Sequence, residues 1–117
     1  KPLVELVKSE TRVVVKEKAL ETLWNLSFLH ANKQTIANAE FIPYLVAAIE
    51  EPETPSVYFI HYALGTLCNL SVLLTNKQTI ADAGVIPDLV TAFRDTENNV
   101  VKEKAQGTLF NLGVNLY

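Results

Sequence analysis

The sequence predicts an all-α chain assembled from stacked helical units, and three observations predict it. The hexapeptide Asn32-Lys33-Gln34-Thr35-Ile36-Ala37 recurs unchanged as Asn76-Lys77-Gln78-Thr79-Ile80-Ala81. The pattern Leu-x-Asn-Leu occurs three times, as Leu23-Trp24-Asn25-Leu26, Leu67-Cys68-Asn69-Leu70 and Leu109-Phe110-Asn111-Leu112. Its asparagines are spaced by 44 and then 42 residues, and Ile42-Pro43 returns as Ile86-Pro87 at the same 44-residue step. Apolar residues inside each period recur at three- and four-residue intervals, as on one face of a helix. A repeat of about forty residues with helical patterning describes units that cannot bury their apolar faces alone and must stack.

Turn signals divide each unit into three segments. The long helix is expected over residues 12–29, 56–73 and 98–115. Its apolar stripe is Val15, Ala19, Leu20, Leu23 and Leu26 in the first copy and Phe59, Ala63, Leu64, Leu67 and Leu70 in the second. In the third it is Val101, Ala105, Leu109 and Leu112, interrupted by Gln106. Pro55 after Thr54 gives the second long helix a sound start, because proline in the first turn loses no needed hydrogen bond. A short helix is expected to open at Asn32 and at Asn76, asparagine being a favoured N-cap. It would stop at Gly84 in the second unit through a left-handed residue. Glu40 holds that place in the first unit, where a Cβ costs roughly 1–2 kcal/mol, so this corner is expected to bend differently. Pro43 and Pro87 then begin a third helix, over 44–49 and 88–93, and residues 1–7 match it in register.

These boundaries give one repeat domain spanning 1–117: a partial repeat 1–29, a repeat 30–73 and a repeat 74–115. Apolar residues stand near both ends, Leu3, Leu6 and Val7 at one and Phe110, Val114 and Leu116 at the other. Natural arrays blunt their ends with polar capping repeats. The chain therefore reads as an excerpt from a longer array, or as a unit whose terminal helices stack on other copies in homo-association.

Composition narrows the function classes. Of 117 residues, 49% are hydrophobic and only four are glycine, which excludes a disordered linker and allows a contiguous core. The formal charge of −3 argues against a nucleic-acid partner, which asks for a basic stripe. Cys68 is the single cysteine, so an internal disulfide is excluded and a reducing, intracellular setting, cytoplasmic or nuclear, is expected. No apolar run approaches the ~20 residues that cross a bilayer, so no membrane insertion is expected.

At this point the residues resemble a known family. Asn76 through Val90, with its Gly84–Pro87 corner, and Ala63 through Leu70, with Ala-Leu-x-x-Leu-x-Asn-Leu, are similar to the armadillo repeat. The resemblance covers essentially the whole chain. The related HEAT repeat is the structural alternative, and the Gly-x-Ile-Pro corner favours armadillo. The resemblance implies a right-handed superhelix, an alpha-alpha solenoid whose longest helices line a concave groove for extended peptides. It also implies that Asn25, Asn69 and Asn111 hydrogen-bond a bound peptide's backbone. An amide with one acceptor and two donors suits a peptide unit whatever its side chain. The alternative is that these asparagines brace neighbouring backbone. Importin-like members carry a tryptophan four residues before the groove asparagine; Glu21, Gly65 and Gly107 stand there instead. Trp24, Cys68 and Phe110 precede the asparagines directly and read as packing between repeats. The groove therefore resembles that of catenin-like members, which bind diverse extended partners.

At 100° per residue, positions seven and eleven before each asparagine share its helix face. They are Lys18 and Val14, Tyr62 and Tyr58, then Lys104 and Val100. The expected surface has an aromatic middle flanked by lysines, with Gly65 and Gly107 leaving room for a ligand backbone. Tyr58 and Tyr62 suit a binding hot spot or a place in the core. Lys18 and Lys104 suit acidic partner residues, or stand solvated beside Glu17 and Glu103.

Other signals are weak. His61 edges the aromatic pair, and His30 is expected to end its helix, where a cation suits the dipole. Asn25-Leu26-Ser27 and Asn69-Leu70-Ser71 satisfy the glycosylation sequon, but lie within expected helices. The sequence holds no phosphate-cradling loop, no paired His/Cys cluster and no nucleophile–base arrangement. The expectation is a protein-binding scaffold for an extended peptide, not an enzyme, with no cofactor and no metal. The alternative is a self-assembling structural segment that associates through its apolar ends.

Overall fold

The computed structural model describes residues 2–50 and 57–115, with side chains over 14–50 and 58–115. Among them are seven α-helices and no strand: α1 (Pro2–Leu26), α2 (His30–Asn38), α3 (Phe41–Glu50), α4 (Val57–Leu70), α5 (Leu74–Asp82), α6 (Ile86–Asp95) and α7 (Asn99–Asn111). The long helices pack side by side with α4 between α1 and α7. Helix α3 lies on α4, α6 lies on α7, and the short α2 and α5 meet each other. The result measures 50 × 32 × 22 Å.

The apolar stripe has a different fate in each long helix. In α4 all five members, Phe59, Ala63, Leu64, Leu67 and Leu70, are buried. In α1 only Leu20 and Leu23 are buried, while Val15, Ala19 and Leu26 are exposed. Among the described residues no helix lies on α1 as α3 lies on α4 and α6 on α7. In α7, Val101, Ala105 and Leu109 are buried by α6 and α4, and Gln106, the polar interruption of the stripe, points to solvent.

Several sequence expectations need correction. Residues 2–26 form one continuous helix, not a short helix and a long one separated near residue 8. The intervening Lys8-Ser9-Glu10-Thr11 contains neither glycine nor proline, so nothing there ends a helix. The start expected at Pro55 lies outside the described residues. The short helices open two residues early, behind extended Leu29 and Leu73, and His30 begins α2 rather than ending α1. Asn32 and Asn76 are consequently not N-caps. Each Nδ2 donates 2.9 Å backward to the last carbonyl of the preceding long helix, Leu26 O and Leu70 O. Those carbonyls have no partner within their own helix, so a side-chain donor satisfies them.

Lysine heads also reach the ends of long helices. Lys33 Nζ donates back to Ser27 O, just past the end of α1, at 2.6 Å, and Lys77 Nζ donates to Asn111 O, at the end of α7 in its own unit, at 2.6 Å. A cation at a helix C-terminus also complements the dipole. Asn98 does cap α7, its side chain accepting from Val100 N and Val101 N at 2.9 and 3.1 Å.

The two corners between the short helices turn with the same hand. Glu40 has φ 64° and Gly84 has φ 79°, so Glu40 adopts the left-handed conformation and does not bend the corner differently. Glu40→Gly should therefore raise unfolding stability by about 0.5–1 kcal/mol, with the relief of Cβ strain partly offset by glycine's greater chain entropy. Gly84→Ala should cost about 1 kcal/mol at the equivalent place. Urea midpoints of the two variants check the pair, and opposite signs are the expected result.

Candidate functional site

The face made by α1, α4 and α7 carries the residues singled out in the sequence, and two different assemblies form on it. Between α1 and α4 stands an aromatic cluster. The Trp24 ring lies 5.1 Å from His61, 5.6 Å from Tyr62 and 5.3 Å from Phe28, and Tyr58 stacks on Tyr62 at 6.0 Å. Trp24 sits directly over Gly65. A Cβ there would meet the indole Nε1 at 2.5 Å and Cδ1 at 2.6 Å. Gly65 thus makes space for a tryptophan of the neighbouring layer, not for a ligand backbone. The indole Nε1 is buried and has no hydrogen-bond partner among the described residues.

Polar groups tie the rim of this cluster across the two helices. Tyr62 Oη donates to Glu21 Oε2 at 3.2 Å, and Glu21 pairs with Lys18 at 3.7 Å in an exposed ion pair. Desolvation, the bond to Glu21 and the nearby carboxylates of Glu21 and Glu17 hold the Tyr62 phenol above its ordinary pKa. Burial, with Lys104 close by, pushes His61 below the ordinary histidine value, so its neutral form is favoured.

Between α4 and α7 the same positions are filled otherwise. Cys68 takes the place of Trp24 and faces Gly107, where a Cβ would stand 3.2 Å from its sulfur. Glu103 and Lys104 replace His61 and Tyr62. Here the surface opens into a cavity of about 840 Å³, lined among others by Cys68, Glu103, Gly107, Phe110, Asn111 and Val114.

The asparagine row joins the layers. Asn69 Nδ2 donates to Ser27 Oγ at 2.9 Å, and Ser27 Oγ donates to Trp24 O at 2.7 Å. One layer on, Asn111 Nδ2 donates to Ser71 Oγ at 3.0 Å and to Cys68 O at 3.3 Å, and Ser71 Oγ donates to Cys68 O at 2.7 Å. Asn25 is exposed and makes no such bond among the described residues. Each of the two engaged amides therefore braces the preceding helix end, the alternative left open by the sequence. Its carboxamide oxygen accepts no hydrogen bond among the described residues.

The structure gathers Lys18, Glu21, Tyr58, Tyr62 and Gly65 into the first assembly and Asn111, Gly107 and Cys68 into the second, with Asn69 between them. Lys104 is half-buried, and Asn25 stands apart. Val14, Tyr58 and Val100, equivalent in the three long helices, are 58%, 54% and 46% exposed. Sequence reasoning missed the serines, although Asn-Leu-Ser recurs at 25–27 and 69–71. Its third residue is the hydrogen-bond partner of the next layer's asparagine. The void beside Cys68 was also missed, and the signal for it was the change of Trp24 to cysteine at constant glycine.

No described helix is long and apolar enough to cross a membrane. No family model, curated protein or solved structure matches the chain.

The two glycines should respond oppositely to one methyl group. Gly65→Ala forces the indole out of its seat and should cost about 2–3 kcal/mol, as overpacking of a close-packed contact does. Gly107→Ala meets only a thiol beside open space and should fall between neutral and about 1 kcal/mol stabilising, the helix-propensity gain of alanine. Thermal unfolding of the two variants measures the contrast.

Proposed function

We propose that the chain is an armadillo-type interaction module, a right-handed stack that binds an extended peptide of a partner protein across the α1–α4–α7 face. The observation that carries this reading is the row of Val14, Tyr58 and Val100, one half-exposed apolar side chain at the same register on each of three neighbouring helices. Packed helices stand about 8–10 Å apart and an extended chain advances about 3.3 Å per residue, so a peptide crossing the face meets one such position every third residue. Asn69 and Asn111 support the reading a second way. With one N–H held by the preceding layer, each amide is fixed in orientation, and its oxygen is left to accept from a peptide N–H. Tyr58, stacked on Tyr62 and rigid on that account, is the natural anchor. The role needs no catalytic group or cofactor and fits an intracellular scaffold.

The test is selection of binders from a random twelve-residue peptide library, followed by affinity measurement on Tyr58→Ala. Loss of about ten- to a hundredfold in affinity, at unchanged thermal stability, is the expected outcome for a central aromatic anchor. Selected peptides that bind the variant as tightly as the parent chain would remove the groove from consideration.

The exposed apolar residues Val15, Ala19 and Leu26 on α1 and Phe110 on α7 favour a second reading, a segment that stacks on its own copies head to tail. Sedimentation velocity from micromolar to near-millimolar concentration decides it. Stacking gives a sedimentation coefficient that climbs with concentration, and a constant monomer value ends that reading.

A further inference from the structure

We infer that the recess over Gly107 is a pocket for one tryptophan side chain of the peptide bound by the groove, an inference that rests on the groove reading above. The protein supplies its own template for the occupant. At the first interface, a glycine on the middle helix carries the indole of Trp24, flanked by His61, Tyr62 and Phe28. At the second interface the glycine is kept, as Gly107, but the indole is replaced by the thiol of Cys68. A glycine within a helix is unfavourable by about 1 kcal/mol against alanine, and at Gly65 the pressed indole explains it. At Gly107, among the described residues, only the smaller Cys68 thiol reaches the place that the indole holds over Gly65.

That place opens into the cavity of about 840 Å³, which shares Cys68, Glu103 and Gly107 with it and continues along α7 past Phe110 to Asn115, within the roughly 300–1,000 Å³ range of small-ligand sites. It exceeds one indole and admits a stretch of peptide backbone with it. Its walls favour an aromatic ring: Gly107 provides a flat floor, Val114 an apolar side, and Phe110, 79% exposed, a free ring to pack against. Its polar atoms favour a ring that donates. The Glu103 carboxylate and the Asn111 carboxamide oxygen are acceptors at the edge of the recess, and an indole N–H supplies the donor. Phenylalanine lacks that donor. A lysine or arginine ammonium or guanidinium would leave the apolar walls unfilled. The pocket adjoins the asparagine ladder through Asn111, so a peptide held by the ladder delivers its side chain there.

Cys68 is the sole cysteine and lines the recess, which makes it the reporter. The alkylation rate of the 117-residue chain by iodoacetamide is measured with N-acetyltryptophanamide, and with N-acetylalaninamide as control. A fragment of this size binds at about 1 mM, so 5 mM of the tryptophan probe should slow alkylation about sixfold while the alanine probe leaves it unchanged. Equal rates with the two probes overturn the pocket. The groove reading is judged separately, by the Tyr58→Ala affinities, and survives that result.

Cys68→Trp provides the second measurement. It refills the recess as Trp24 fills its own, so the folded variant should lose the probe-induced amide shifts of Gly107 and Phe110 that are expected in the parent chain. Shifts that persist in the folded variant also overturn the pocket. A variant that does not fold leaves the decision to the alkylation rates of the parent chain.

Discussion

A long helix in this chain becomes fully apolar-buried only when other helices cover it on more than one side, and that constraint governs everything else in the structure. Helix α4 meets it: α1 and α7 flank it, α3 covers it, and all five residues of its stripe lie in the core. Each leucine so buried contributes about 1.5–3 kcal/mol relative to solvent, so α4 alone accounts for several such increments. The same stripe on α1 keeps only its two central leucines inside. Identical patterning therefore yields different burial, and the difference comes from neighbours, not from the helix itself. Stability in such an arrangement is a sum over interfaces.

Apolar burial by itself is non-directional and leaves the layers some freedom to shift. The hydrogen bonds between layers remove that freedom. Asn69 to Ser27 and Asn111 to Ser71 each join a long helix to the end of the long helix before it at a fixed residue, and within the last unit Lys77 ties α5 to Asn111 O at the end of α7. A net contribution of about 1 kcal/mol apiece is modest against the core, but these bonds are directional where the core is not. They also hold the amides in one orientation. A side chain already ordered by the fold loses less entropy when a ligand engages its remaining acceptor.

Much of this was legible in the sequence, and the rest was hidden for identifiable reasons. The three long helices, the left-handed place at Gly84 and the pairing of equivalent positions follow from spacing alone, because helical period and glycine geometry are local physics. The continuity of α1 is also local, but the register of residues 1–7 with the third helices suggested a break that no glycine or proline in 8–11 enforces. The roles of Asn32 and Asn76 were not legible in that way. Asparagine favours the start of a helix, and here its amide instead caps the end of the preceding one, a contact that exists only after the chain has turned back. The partners of Asn69 and Asn111 belong to another unit altogether. What they touch could not be read from the spacing within one unit.

The residue just before each ladder asparagine shows how a repeated fold acquires a particular surface. Trp24, Cys68 and Phe110 occupy one structural position, yet the first is wedged over a glycine, the second half-fills the same site, and the third stands in solvent. Their backbones and leucine neighbours are equivalent, so this variation does not disturb the core beneath. The indole of Trp24 leaves its N–H buried without a partner among the described residues, a penalty of about 1–3 kcal/mol, which a packing contact of that size can offset but a polar site would not require. That seat is therefore governed by shape. Where the tryptophan becomes cysteine, the shape is left behind without its occupant, and Glu103 and Lys104 bring charge to a rim that His61 and Tyr62 keep aromatic in the other layer. Two neighbouring stretches of one face thus acquire opposite character, one closed and ring-lined, the other open and acceptor-edged, from substitutions at a few equivalent positions above the same leucine core.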